Sequence, residues 1–108
     1  MFDFDAFLKT LKTDLSELVT DFGEDLKDDL LKDAKSFALS TKDDLIRWSK
    51  QLKDGDLSPE DFEFLIKAKK DLAEMEALKQ RGLAQVKLDK LKLAIIDTVA
   101  GSVKKVIA

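Results

Sequence analysis

Apolar residues recur every eleven positions along the first half of this 108-residue chain. Eleven residues make three helical turns of about 3.67 residues each, close to the 3.6 of an α-helix. The pattern therefore predicts one long amphipathic helix over about residues 3–53, with Gly23 as a kink or as an unbroken part of it. The first row is Phe4, Leu15, Leu26, Phe37 and Trp48; a second row, four residues on, is Leu8, Val19, Leu30, Thr41 and Leu52, in which only Thr41 is not apolar.

The second half of the chain shows the same spacing and predicts a second helix over about residues 59–107. Gly82 lies inside this span, either as a helix C-cap or as a small residue within the helix, where glycine costs about 1 kcal/mol relative to alanine. The first row here is Phe62, Ala73, Ala84, Ile95 and Val106, and its companion row is Ile66, Ala77, Leu88 and Val99.

A turn separates the two predicted helices. Asp54-Gly55 is a turn signal, Ser58 is suited to the N-cap, and Pro59 falls at the first helical position. The chain is therefore expected to reverse at Gly55 and to begin its second helix at Pro59.

Two helices of about fifty residues would each run about 75 Å, and both apolar stripes are wider than a two-helix seam. A lone hairpin would leave much of them exposed to water. We expect a single all-α domain over residues 1–108, an antiparallel hairpin that dimerises into an elongated four-helix bundle. The alternatives are a chain that folds back at Gly23 and Gly82, or a free face that binds something else. The expected core and interface residues are Phe4, Leu15, Leu26, Phe37, Trp48, Phe62, Ile95, Val99 and Val106.

Charge is distributed unevenly along the chain. Residues 1–34 hold ten acids and four lysines, a net charge of −6, whereas residues 77–108 hold two acids, six lysines and one arginine, a net charge of +5. In an antiparallel arrangement these segments lie side by side and favour that arrangement over the parallel one.

The composition argues against several functional classes. Without Cys or His there is no thiolate, no sulfur ligand and no neutral-pH proton shuttle, so we expect no enzyme, no cofactor and no metal site. Asp54–Phe62 resembles half of a calcium-binding EF-hand loop, but Lys50 and Leu52 stand where oxygen ligands are required. The acidic balance disfavours nucleic acid. The acidic N-terminus lacks a signal-peptide layout, which favours the cytoplasm.

The sequence thus indicates a structural or interaction protein, a self-associating hairpin that scaffolds or binds a protein partner. The alternative is an amphipathic protein that lies on lipid or another apolar particle. An eleven-residue period also occurs in apolipoproteins, but that likeness is one of period alone and identifies no family. Against lipid, the acidic first half would be repelled by anionic membranes.

Overall fold

The computed structural model describes residues 2–107, and these form six α-helices and two short 3₁₀ turns. The prediction of an all-α chain is confirmed. The α-helices are α1 (Phe4–Phe22), α2 (Lys27–Ser40), α3 (Lys42–Asp54), α4 (Pro59–Lys67), α5 (Glu76–Lys79) and α6 (Gln85–Ile107), and the 3₁₀ turns are Glu24–Leu26 and Lys70–Leu72.

The chain reverses at Gly23, so the prediction of one helix from residue 3 to 53 is wrong. Gly23 has φ 107° and ψ 132°, a conformation open to glycine because it has no Cβ. The 3₁₀ turn Glu24–Leu26 completes the reversal, and α2 runs back along α1. The Lys42 ammonium consequently lies 5.0 Å from the centroid of the Phe4 ring, beside the start of α1. The four residues 23–26 are therefore enough to connect α1 with α2.

Thr41 bends the helical path between α2 and α3 without reversing it. Its hydroxyl donates to the carbonyl oxygens of Phe37 at 3.0 Å and Ala38 at 3.3 Å, a local bond that bends helices. The backbone bonds continue across the bend, from Thr41 N to Phe37 O and from Leu45 N to Thr41 O. The one polar residue in the second row therefore marks a junction, and its side chain is buried.

The turn between α3 and α4 lies where the sequence indicates. Gly55 has a left-handed φ of 81° and ends α3. The Ser58 hydroxyl accepts a hydrogen bond from the Asp61 backbone N–H at 3.0 Å, and Pro59 is the first residue of α4.

The predicted second helix over residues 59–107 is also wrong, because the chain leaves helical geometry between Lys67 and Gln85. Met75 has a positive φ of 59°, which is unfavourable for a residue with a Cβ, and its side chain is buried. Gly82, with φ 69°, follows the short helix α5. The local sequence favours helix here, so the cause of the break is tertiary.

These reversals replace the elongated hairpin by a short, thick molecule. Its dimensions are 42 × 23 × 20 Å, so a helix of about 75 Å cannot be accommodated. The radius of gyration of 13.5 Å is close to the value of about 13 Å expected for a compact chain of this length. The described chain thus takes the fold-back route, with its reversal at Gly23.

Helices α1 and α6 pack antiparallel and bring the acidic and basic ends of the sequence together. The Lys105 ammonium of α6 donates to Asp14 Oδ1 of α1 at 2.7 Å. Outside these two helices, Arg81 pairs with Asp29 of α2. Such exposed pairs contribute about 0–1 kcal/mol each, so their main effect is on which helices become neighbours.

Candidate functional site

Seven of the nine residues predicted for the core and interface are buried within this one chain. Phe4 and Val106 are only partly buried and pack at the edge of the core. The buried seven contribute to one cluster, so a second copy is not needed to cover them. They are Leu15, Leu26, Phe37, Trp48, Phe62, Ile95 and Val99.

A groove between α1 and α2 combines an apolar floor with an open cavity. Its floor is made of leucines, and its cavity volume is about 470 Å³. Leu11 and Leu15 are almost fully buried, whereas Leu8 and Leu31 are partly exposed and face the groove. The floor is apolar because α1 and α2 each direct a row of side chains between them after the reversal at Gly23.

Four lysines form the rim of this groove. Lys9 and Lys12 lie three residues apart on α1, and Lys32 and Lys35 lie three residues apart on α2, so each pair shares one helix face. All four are exposed, and none forms an ion pair within residues 2–107. Asp28 is the only acid in the lining. The rim therefore carries a net positive charge above an apolar floor.

A second cavity of about 470 Å³ lies near the C-terminal ends of α3 and α6, and Phe2, Ile46 and Val106 are among its lining residues. Its cationic rim is partly neutralised, because the Lys50 ammonium lies 3.7 Å from Asp54 Oδ2. The groove between α1 and α2 thus offers the stronger combination of apolar and uncompensated basic surface.

Asp33 is the buried carboxylate that sequence reasoning missed. It lies on α2, and its two oxygens accept hydrogen bonds from the backbone N–H groups of Ala77 at 2.9 Å and Leu78 at 2.8 Å. These donors belong to the first turn of α5, which has no partner for them within the helix. Asp33 therefore fixes α5 against α2, and its role here is structural. The one signal for this role in the sequence was an acidic residue close to the apolar positions of α2.

Asp14 of α1 forms a second polar link, to α6. Its Oδ2 accepts from the buried Ser102 hydroxyl at 2.7 Å and its Oδ1 from Lys105. Burial by itself would raise the pKa of Asp14, but the hydrogen bonds from Lys105 and Ser102 together with the lysine charge outweigh it. The pKa is therefore lowered from its ordinary value of 3.8.

This lowered pKa predicts a pH dependence of folding. A carboxylate with a depressed pKa in the folded state stabilises the fold above its unfolded pKa, and that contribution disappears as the pH falls through the folded value. The gap in free energy of unfolding between the wild type and Asp14→Asn is expected to narrow from pH 7 to below pH 3.8, as measured by urea unfolding. Asp21→Asn, which removes an exposed acid from the same helix, controls for net charge. A gap independent of pH would contradict the assignment.

Three further features are absent from the residues that the structure describes. Within residues 2–107, no group of three or more Asp, Glu, His or Cys side chains is placed to hold a metal ion. Every buried side-chain nitrogen or oxygen in this part has a hydrogen-bond partner. None of the described helices combines the length and apolar character that crossing a membrane requires.

Comparisons with known proteins give no relative from which a function could be proposed. No protein-family model, curated protein or solved structure matches this sequence or fold.

Proposed function

We propose that this chain is a non-enzymatic interaction protein whose groove between α1 and α2 receives an acidic amphipathic helix of a protein partner. The observation that supports the proposal is the leucine floor beneath four lysines with no ion pairs in the described chain. An exposed apolar surface with a polar rim is typical of a binding site.

A helix suits this groove because its walls are themselves two antiparallel helices. The lining on α1 extends from Leu8 to Leu15, about 11 Å or two helical turns. A third helix can place its apolar residues at positions i, i+4 and i+7 against such a floor, as helices do in other grooves. Carboxylates on the flanks of that helix would then face the lysines on both sides.

Self-association and lipid binding, which the sequence also suggested, would need a surface other than the wide apolar stripes. Dimerisation into a four-helix bundle was expected because a hairpin would expose its wide stripes, but those residues are largely buried within one chain. Adsorption to lipid relied on the same stripe. Self-association and lipid binding therefore need a surface that remains exposed, and the groove is one such surface.

The experiment is a titration with a labelled helical peptide that carries leucines on one face and glutamates on its flanks. We expect Lys32→Glu/Lys35→Glu to weaken its binding at least about tenfold, because attraction becomes repulsion at one wall of the groove. The matched control is Lys87→Glu/Lys90→Glu, which reverses the charge of two exposed lysines with the same spacing on α6. Its affinity for the peptide should stay within about twofold of the wild-type value. Fluorescence anisotropy provides the affinities.

Further arms of the experiment separate the alternatives. A peptide with lysines on its flanks should bind far more weakly than the acidic peptide. Added salt should lower the affinity of the acidic peptide for the groove. Equal effects of the two double variants would remove the groove from the proposal. Binding to anionic vesicles without binding to the acidic peptide would favour the lipid function instead.

A further inference from the structure

The described surface also contains a group that complements the groove. Phe64 on α4 leaves 72% of its surface exposed, more than any other large apolar side chain in residues 2–107. Phe62 and Ile66 on the same helix are fully buried, so Phe64, two residues from each, points to the opposite side. Nothing in the described chain covers its ring.

Two acids flank this exposed ring. Glu60 and Asp61 precede Phe64 by four and three residues, so they share its face of α4. Both are exposed, and neither forms an ion pair within the part of the chain that the structure describes. The face is thus an apolar knob beside two acids without an ion pair, and the nearby Lys67 pairs with Asp97 at 3.7 Å. The groove is an apolar floor with a net positive rim.

From this complementarity we infer that a second copy of the chain occupies the groove, with its Phe64 on the leucine floor and Glu60 and Asp61 against the lysine rim. The inference rests on the proposed function, since it places a helix of a second copy in the groove, with one aromatic anchor in place of a row of apolar residues. An aromatic side chain in an apolar pocket is a common anchor of an interface, and the surrounding charges set its orientation.

The geometry of this contact is head-to-tail. Helix α4 packs on α3 and α6, whereas the groove lies between α1 and α2, so the donating and accepting surfaces share no residue. Each copy can accept one neighbour and donate to another, which gives concentration-dependent chains or rings; in the smallest ring, two copies make the contact twice and form a twofold dimer. The contact is small and is expected to be weak and reversible.

Sedimentation of two complementary variants tests the inference. The weight-average mass of the wild type should rise between about 10 µM and about 1 mM, the range for a weak contact. Phe64→Ala lacks the donor, and Lys32→Glu/Lys35→Glu lacks the acceptor, so each alone should stay monomeric. Their equimolar mixture should rise to at most twice the monomer mass, because each partner keeps one intact surface. A chain carrying Glu60→Lys/Asp61→Lys together with the lysine reversals should associate again.

Several outcomes would overturn the inference. A wild type that stays monomeric to about 1 mM excludes the contact, and variants that associate like the wild type show that another surface is used. Binding of the acidic peptide distinguishes failure of the self-association inference from failure of the proposed function. Phe64→Ala should bind it as the wild type does, so peptide binding by a strictly monomeric wild type ends the inference and leaves the proposed function standing. A wild type that neither self-associates nor binds the acidic peptide overturns both the inference and the proposed function. Circular dichroism checks that each variant is folded.

Discussion

Replacement of Asp33 by alanine is expected to lower the free energy of unfolding by about 3 kcal/mol, or the melting temperature by about 12 °C. The buried carboxylate accepts two backbone hydrogen bonds, from Ala77 and Leu78, and hydrogen bonds to a charged group contribute about 1.5–3 kcal/mol each. Without it, both N–H groups lose their partner at the start of α5. Urea and thermal unfolding provide the measurement.

Two further variants sharpen this experiment. Asp33→Asn keeps one acceptor oxygen and should fall between alanine and the wild type. Asp43→Ala removes an exposed acid from α3 and should change the free energy of unfolding by less than about 0.5 kcal/mol. Hydrogen exchange should accelerate at Ala77 and Leu78 in Asp33→Ala. If Asp33→Ala were as stable as Asp43→Ala, the carboxylate would not be what holds α5.

The second large effect is expected at the reversal between α1 and α2. Gly23→Ala should lower the free energy of unfolding by about 2 kcal/mol, because alanine is strained at φ 107° and ψ 132°. An added Cβ would also lie 2.9 Å from Asp25 Oδ1, but that flexible carboxylate can move, so the strain comes mainly from the backbone.

Gly101 offers the matched control for this substitution. It lies within α6, and an added Cβ would meet nothing within 4 Å, so Gly101→Ala should raise the free energy of unfolding by about 0.5–1 kcal/mol. Opposite signs for the two glycines are the expected result of parallel urea titrations. A neutral Gly23→Ala would contradict the assignment of a positive φ to residue 23 as the geometry that the reversal requires.

Sequence patterns predicted the features that depend on residues close together in the sequence. The turn at Gly55, the Ser58 cap and the start of α4 at Pro59 all rest on contacts within a few residues, so their signals are complete in the local sequence. The eleven-residue rows also identified many buried side chains, including Leu15, Phe37 and Ile95. A break between helices leaves the apolar face of each segment intact, so periodicity survives even where continuity does not.

The groove was beyond such patterns. Its floor and rim combine residues 8–15 with residues 28–35, and these meet only because the chain reverses at Gly23. Read as one helix, the same lysines lie on a solvated surface with no cavity between them. The exposed position of Phe64 also contradicts the general expectation that a phenylalanine within an amphipathic helix lies in the core.

The sequence by itself determined that the chain is helical, where its central turn lies and which side chains avoid water. Tertiary structure decided where the helices stop. Between Lys67 and Gln85 the local preference is helical, yet Met75 adopts a positive φ and Asp33, more than forty residues away, caps α5. Helix propensity amounts to at most about 1 kcal/mol per residue for anything but proline, so burial of the apolar faces within one chain outweighs it. That preference for one compact core replaces the two long helices that were predicted with six shorter ones.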